Sequence, residues 1–330
     1  MMLSVEISTY NRKDVLRMVL ERLSRQTYPA DGFEVVVADD GSTDGTAGLV
    51  ESIRHRLPYS LSYFNDGHHG CGYTHNLGIT RAKGDIVLML ADDILPEPRL
   101  LEEHMLTHAA NPDPSVFVVG KLRQSADLPG TVFQRCWDPI TGRDPEGKTA
   151  LGYTDFWVSN ISFKRDFMLR NGMFVDLPAA SHEDIELGYR LQRKGMRLVF
   201  NKKALGYHHH PETIESVSAR SYRHGYNWPH FESHVPALWI RARSGNISLK
   251  DGTALYLTTL IKGMLRKVVI NKFLISSIAL PVIRKAEEMP ALSFAVPFLM
   301  MKVASYHFQR GLDDSKKKIA VMRDGGLIKA

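Results

Sequence analysis

Four short stretches concentrate the residues able to do chemistry. In LMLADDILP (Leu88 to Pro96) an apolar run ends in two adjacent carboxylates, Asp92 and Asp93. Like charges leaving an apolar core repel each other and are costly to desolvate, so a positively charged partner is expected there. VVVADDGSTDGT places Asp39 and Asp40 directly after a second apolar run, and Ser42 to Asp44 have ordinary turn and helix-capping chemistry. SHEDIELGYRL carries Glu183 and Asp184. Ser181 and Asp184 have capping-box spacing, and carboxylates in a first turn complement the helix dipole. YHHHP offers His208 and His210, which share one side if the segment is a strand. By contrast, His68, His69 and Cys71 in DGHHGCGYTHN are too close in sequence to close a tetrahedral metal site. The glycines of that stretch suit either a surface loop or a close backbone approach to phosphate.

The elements that must position these residues alternate. LSVEIS, FEVVVA, LSYF and DIVLML read as strands. Helices are expected over Leu16 to Leu23, through Leu49 to Arg54, and around Leu77 to Ala82. Near-continuous apolar strands alternating with helices predict an α/β fold with a doubly wound, mostly parallel sheet. Ligands bind such sheets off the carboxyl ends of the strands, near a switch in strand order, so the polar clusters after the first, second and fourth strands converge there. Further on, VFVVG, FWVSNISF and MRLVF read as strands, and SHEDIELGYRLQRKG as a helix ending at Gly195.

The chain has 330 residues, 44% of them apolar and 24% charged, the composition of an ordinary globular protein with a sizeable core. Two distant cysteines, Cys71 and Cys136, argue against a disulfide framework or zinc ligand set and for a reducing compartment. No signal peptide is expected from MMLSVEISTYNRKD. The net charge of +6 is uneven: from Arg241 onward there are 16 Lys and Arg against 6 Asp and Glu, and before it 26 against 30. An acidic body with a basic tail follows.

Taken in order, ISTYNR, VVVADDGSTDGT, HNLGITRAKGDIVLMLADD, NGMF, HEDIELGYRLQRKG and YHHHP resemble family 2 glycosyltransferases of the GT-A fold, over about the first 230 residues. The resemblance implies a metal-dependent inverting glycosyltransferase using a nucleotide-sugar donor, most simply a UDP-sugar, and a hydroxyl of a glycan or lipid-linked acceptor. It places Mn2+ or Mg2+ on Asp92 and Asp93, with His208 as a third ligand, and makes Asp184 the general base beside Glu183. Asp39 would accept the N3–H of a uracil or thymine ring, with Thr9, Tyr10, Asn11 and Asp40 around the same pocket. His75 would face the diphosphate, and Trp157 and Asn160 the acceptor. Two positions depart from the family pattern: Leu90 stands where an acidic residue is common, and His75 where arginine is. An imidazole there offers one donor in place of a bidentate guanidinium.

A GT-A domain over residues 1–235, with a nucleotide-binding half to residue 100 and an acceptor half after it, would be followed by a basic amphipathic helical extension over 236–330. Lys262, Arg266, Lys267 and Lys272 interrupt its apolar segments, so no stretch of about 20 apolar residues is expected to span a bilayer. Such helices suit either the anionic surface of a membrane, placing the protein in the cytoplasm or on the inner face of the cell membrane, or packing on the core or a second copy. Nucleic acid is not an expected partner, because no binding motif accompanies the charge. Two other readings stand: a non-catalytic GT-A-like binding protein, kept open by Leu90 and His75, and a nucleotidyltransferase, opposed by the lack of glycines in TYNRKD. Oligomeric state has no signature in the sequence.

Overall fold

The computed structural model describes residues 1–128, 130–136, 145–175 and 181–324. In chain order its elements are β1 (Leu3–Thr9), α1 (Lys13–Leu23), β2 (Phe33–Asp39), α2 (Thr46–Ile53), β3 (Ser60–Asn65), α3 (Cys71–Arg81), β4 (Ile86–Leu90), β5 (Ile94–Pro96), α4 (Leu100–Ala110), β6 (Val116–Gln124) and α5 (Val132–Cys136). There follow β7 (Asn160–Lys164), α6 (Arg165–Asn171), α7 (Glu183–Arg193), β8 (Arg197–His208), α8 (Ile214–His234), α9 (Leu238–Ser244), α10 (Thr253–Val269), α11 (Lys272–Leu274), α12 (Leu280–Lys285) and α13 (Val296–Asp324).

The first of two compact units contains all eight strands, and its described residues are 1–128, 145–175 and 183–210. Its sheet runs β3-β2-β1-β4-β7-β6-β8-β5. The first four strands are mutually parallel, as the alternation predicts, whereas β7 is antiparallel to both β4 and β6, and β5 is antiparallel to β8. The fold is therefore α/β with a mixed sheet whose parallel half lies at the N-terminus. Alternation along the strands splits the core: Leu3, Val5 and Ile7 pack with Leu16, Leu20 and Leu88 on one face, and Val87, Met89, Ile161 and Phe163 with Phe117 and Phe156 on the other.

Strand order reverses at β1, with β2 on one side and β4 on the other. Chain segments leaving β1, β2 and β4 thus emerge beside one another, where the register pairs Thr9 with Asp39. Several expected bounds shift. α3 begins at Cys71, well before Leu77, because the Asp40 carboxylate accepts the backbone N–H groups of His69 and Gly70 and the Thr74 hydroxyl. This distant cap is invisible to local periodicity. β8 is much longer than MRLVF because it pairs with β6 along most of its length and with β5 at its end. The strand expected over FWVSNISF is confined to Asn160–Lys164. Gly195, with φ 93°, closes α7 as expected.

The second unit, with described residues 130–136, 181–182 and 211–324, is helical. It takes in α8, and its main run of described residues begins at residue 211. α8 and α13 approach closely at glycines: a Cβ on Gly225 would lie 1.8 Å from the Phe308 carbonyl oxygen, and one on Gly311 2.1 Å from that of Tyr222. Val217, Ile275, Ile283, Val296, Met300 and Val303 form this unit's core. Contrary to the expectation from the interrupting lysines and arginines, the segment Pro290–Met322 is long and apolar enough to cross a membrane by length and composition. Part of that apolar content is used in packing, since Val296, Met300, Val303 and Leu312 are buried within the unit.

Candidate functional site

At the strand ends of the first unit the two carboxylates of LMLADD find their positive partner, and it is Arg12. One guanidinium nitrogen donates to Asp92 Oδ1 and Asp93 Oδ2, both at 2.7 Å. The other nitrogen donates to His210 Nδ1 at 2.7 Å. Thr9 Oγ1 donates to Asp92 Oδ2 at 2.7 Å, and His208 Nε2 lies 3.5 Å from Asp93 Oδ2. His208 and His210 stand on the same side with stacked rings, as strand alternation requires, while His209 turns to Ser125 Oγ. Asp92 and Asp93 are 5% and 6% exposed. Burial pushes the Asp92 carboxyl up to about 6, against the opposing pull of Arg12. Burial acts the same way on Asp93, but the hydrogen bond and charge of His208, with Arg12, hold it well below the usual carboxylate range.

Arg12 was not among the expected site residues, although it directly follows Thr9, Tyr10 and Asn11. The signal that finds it is the need for a cation at Asp92 combined with the adjacency of β1 and β4. As the side chains stand, no three His, Cys, Asp or Glu among the described residues are spaced to hold a metal ion. Of the expected trio, Asp92 and Asp93 both bind the Arg12 guanidinium, and His208 stands beside Asp93.

Beside this cluster lies the second expected pocket. Asp39 is buried; its Oδ1 accepts from Ser42 N at 2.8 Å and its Oδ2 from the Tyr63 hydroxyl at 2.6 Å. Tyr10 is exposed, its ring 4.8 Å from that of His68 and nearly parallel to it. Asn11, at φ 52°, ties the β1 end to the loop after β2: its Oδ1 accepts from Thr43 N, and its N–H donates to Ser42 Oγ. Asp40 does not open toward a ligand. One oxygen caps α3 and the other is 2.9 Å from His68 Nδ1.

Two further expectations are corrected. His75 does not present its ring outward: it is buried, stacked on Phe174, with Nδ1 3.1 Å from Glu6 Oε2 and 2.9 Å from Ser8 Oγ. Burial opposes its charge, but the facing Glu6 carboxylate raises its pKa well above the usual histidine value. Glu6 fits because α3 carries Gly78 opposite it; a Cβ there would lie 2.5 Å from Glu6 Cγ. Asn160 likewise faces the interior. Its Oδ1 pairs with His104 Nε2 at 2.9 Å and its amide donates to the Ala204 carbonyl at 3.0 Å. Trp157 is half-buried, its indole N–H donating to the Thr154 carbonyl.

Glu183, Asp184 and Glu186 occupy the first turn of α7, where the helix dipole favours their charge. The expected capping box is not made: Ser181 Oγ is buried without a hydrogen-bond partner, and His182, before the helix, has φ 68°. Cys71, a free thiol, interacts with both His75 and Glu183, and burial raises its pKa. A surface pocket of about 690 Å³, lined by residues including Glu103, Lys148 and Lys202, shares no residue with the Asp92 cluster.

Comparison with known proteins decides what this arrangement belongs to. Residues 4–170 match Glycosyl transferase family 2, and residues 131–306 match Glycosyl transferase family group 2. The chain belongs to glycosyl transferase family 2. Validoxylamine A glucosyltransferase of Streptomyces hygroscopicus subsp. jinggangensis is 29% identical over 231 residues, covering 62% of this chain and 54% of the relative. The chain spans about half the length of the first curated relatives it matches. Among solved structures, a mannosyltransferase of Pyrobaculum calidifontis in complex with GDP-Man and Mn2+ superposes with a TM-score of 0.60 at 19% identity, over 92% of this chain and 85% of that one. Staphylococcus aureus TarS 1–349 in complex with UDP gives 0.52 at 19% identity, over 96% and 92%. At that identity these likenesses establish the fold, which is GT-A.

Proposed function

We propose that this family 2 protein is an inverting glycosyltransferase that moves a sugar from a UDP-sugar to an acceptor hydroxyl. The observation that carries the reading is the convergence, at the switch point of a GT-A sheet, of the Asp39 pocket and a buried Asp92–Asp93 pair that already holds a cation. The neighbours' complexes with UDP, UDP-GlcNAc and GDP-Man support a nucleotide-sugar donor. Tyr63 and Ser42 keep Asp39 an acceptor, suited to the N3–H of uracil, with Tyr10 and His68 as flat surfaces for the base. The donor set of two carboxylates and one imidazole suits a hard or borderline divalent ion, and the guanidinium between the carboxylates stands in for its charge. Asp92 and Asp93, with His208, would hold Mn2+ or Mg2+, whose charge when bound neutralises the departing diphosphate.

Asp184 is the base. It takes the proton of the acceptor hydroxyl as that oxygen bonds to the sugar's anomeric carbon and the bond to the diphosphate breaks. One carboxylate suffices for a single displacement, and its place in the first turn of α7 complements the helix dipole.

The acceptor is lipid-linked and the protein sits peripherally on the cytoplasmic face of an anionic membrane. The second unit supports this with Phe273 at 72% and Phe294 at 82% exposure, together with exposed Phe298 and Met301. The excess of 16 basic over 6 acidic residues from Arg241 onward complements anionic lipid. Co-sedimentation with phosphatidylglycerol vesicles, and none with phosphatidylcholine, is expected; equal behaviour with both rejects the charge argument.

The decisive test is thermal unfolding with UDP, dTDP, GDP, CDP and ADP, each with and without Mn2+. Ligand at 100 times its dissociation constant adds about 2.7 kcal/mol. A rise restricted to UDP or dTDP, dependent on Mn2+ and absent in Asp92→Ala, supports the reading. A rise with GDP overturns the role of Asp39, and no rise with any nucleotide overturns the donor site.

A further inference from the structure

We infer that Arg12 is a built-in counter-ion which a divalent cation must displace to reach Asp92 and Asp93; the inference rests on the metal-dependent reading above. Three hydrogen bonds of 2.7 Å fix the guanidinium to Asp92 Oδ1, Asp93 Oδ2 and His210 Nδ1. Asp92 Oδ1 and Asp93 Oδ2 are carboxylate oxygens that a divalent cation held there would also need. Two cations cannot share them, because each would meet the other's full charge across a few ångströms in a poorly screened setting.

Arg12 is also the member of the cluster able to leave. Its side chain is 33% exposed, against 6% for Asp92 and 9% for Asp93, so it lies on the solvent side of the pair. Its four-bond stem starts in the segment between β1 and α1, and rotation about that stem carries the charge into water without moving either strand. The carboxylates have no such freedom. Asp92 is held by Thr9 Oγ1, and the residue after the pair, Ile94, opens β5.

Without ligand, Arg12 offsets one of the two carboxylate charges and separates the pair electrostatically. Two adjacent buried carboxylates would otherwise destabilise the free protein, as a buried charge without its partner does. Arg12 removes that instability, and in doing so lowers the affinity for a cation arriving alone. A cation delivered with a diphosphate has the further attraction of the phosphates and gives the released guanidinium an anion to face. Binding of metal and donor is therefore coupled through one side chain.

The coupling has an unusual signature: removing Arg12 should weaken the free fold and strengthen metal binding together. A purely structural arginine would lower both, and an arginine that only binds diphosphate would leave metal affinity unchanged. Mn2+ binding without nucleotide, read by electron paramagnetic resonance, is expected to be at least about ten-fold tighter in Arg12→Met than in the parent, a difference of about 1.4 kcal/mol. The Arg12→Met melting temperature in EDTA is expected to be lower, and its gain on adding Mn2+ larger. Arg12→Lys, whose compact ammonium cannot bridge all three partners, should fall between the two. In the parent protein, phenylglyoxal modification of Arg12, mapped by peptide mass, should increase when Mn2+ is added at saturating concentration without nucleotide. Equal or weaker Mn2+ binding by Arg12→Met, or unchanged modification of the parent, overturns the inference while leaving the transferase reading intact. If no form binds Mn2+ even with UDP, the metal reading itself fails; full transfer in EDTA would then make Arg12 the permanent cation.

Discussion

The first unit contains two polar clusters with similar ingredients and opposite electrostatics. At the strand ends, His208 and His210 sit with Asp92, Asp93 and Arg12, and every group is charged or touches a charge. In the interior, His104 and His108 meet Ser162 Oγ, and His104 also meets Asn160, with no carboxylate among these partners. Burial there pushes His104 down to about 4 and His108 to about 3, so both are neutral at ordinary pH. Glu6 and His75 form an intermediate case: His75 is sealed from solvent, yet its pKa is raised because a carboxylate faces its imidazole. The lesson is that burial alone does not decide whether a histidine is charged: a facing carboxylate does. Of these three clusters, the one at the strand ends combines charge with a route to solvent.

That contrast is broken or sharpened by substitution. Asp184→Asn has the largest expected effect, a fall in kcat of roughly 10²–10⁴-fold with UDP binding unchanged, because the base proposed for Asp184 would act on the acceptor. Lost donor affinity in calorimetry would move Asp184 out of that role. Glu6→Gln comes next: leaving His75 without its buried partner should cost about 3 kcal/mol or more in urea unfolding. The His75 pKa is raised in the folded state, so the pair's contribution is fully present below about pH 6.5 and fades as pH rises through the folded value. The Glu6→Gln deficit should therefore shrink at alkaline pH. A constant deficit from pH 6 upward would show that the pair is not ionised.

Asn160→Ala should cost about 1–3 kcal/mol, because it leaves His104 and the Ala204 carbonyl without their partner, while KM for donor and acceptor stays unchanged. A raised KM with intact stability would return Asn160 to the site. A further check is the pH dependence of the interior histidines. Their pKa values are lowered on folding, so their contribution is present above about pH 6.5 and lost as pH falls toward 4, with a slope of at most about 1.4 kcal/mol per pH unit for each group. Replacing His108 by Gln should flatten that slope; an unaltered slope would place the titration elsewhere.

Much of this organisation can be read from residue types. The hydrophobic runs of β1, β2 and β4 locate the parallel half, because strands covered on both faces must be apolar throughout. The polar residues immediately after those runs locate the ligand edge. The lone glycine at position 195 ends α7 where expected. The start of α3 was not legible, since its cap comes from Asp40, some thirty residues away. Nor were the inward turns of His75 and Asn160, because each is decided by a partner on another element, Glu6 for one and His104 for the other.

By itself, then, the sequence determined the periodic strands and helices, the family, the acidic strand ends and the basic tail, all of which depend on local pattern and composition. Tertiary structure alone decided which cation meets Asp92 and Asp93. It also decided which histidines are charged and where the first unit ends. Those outcomes depend on distances between residues remote in sequence. Arg12 and Asp92 are eighty positions apart and joined at 2.7 Å only because β1 lies beside β4.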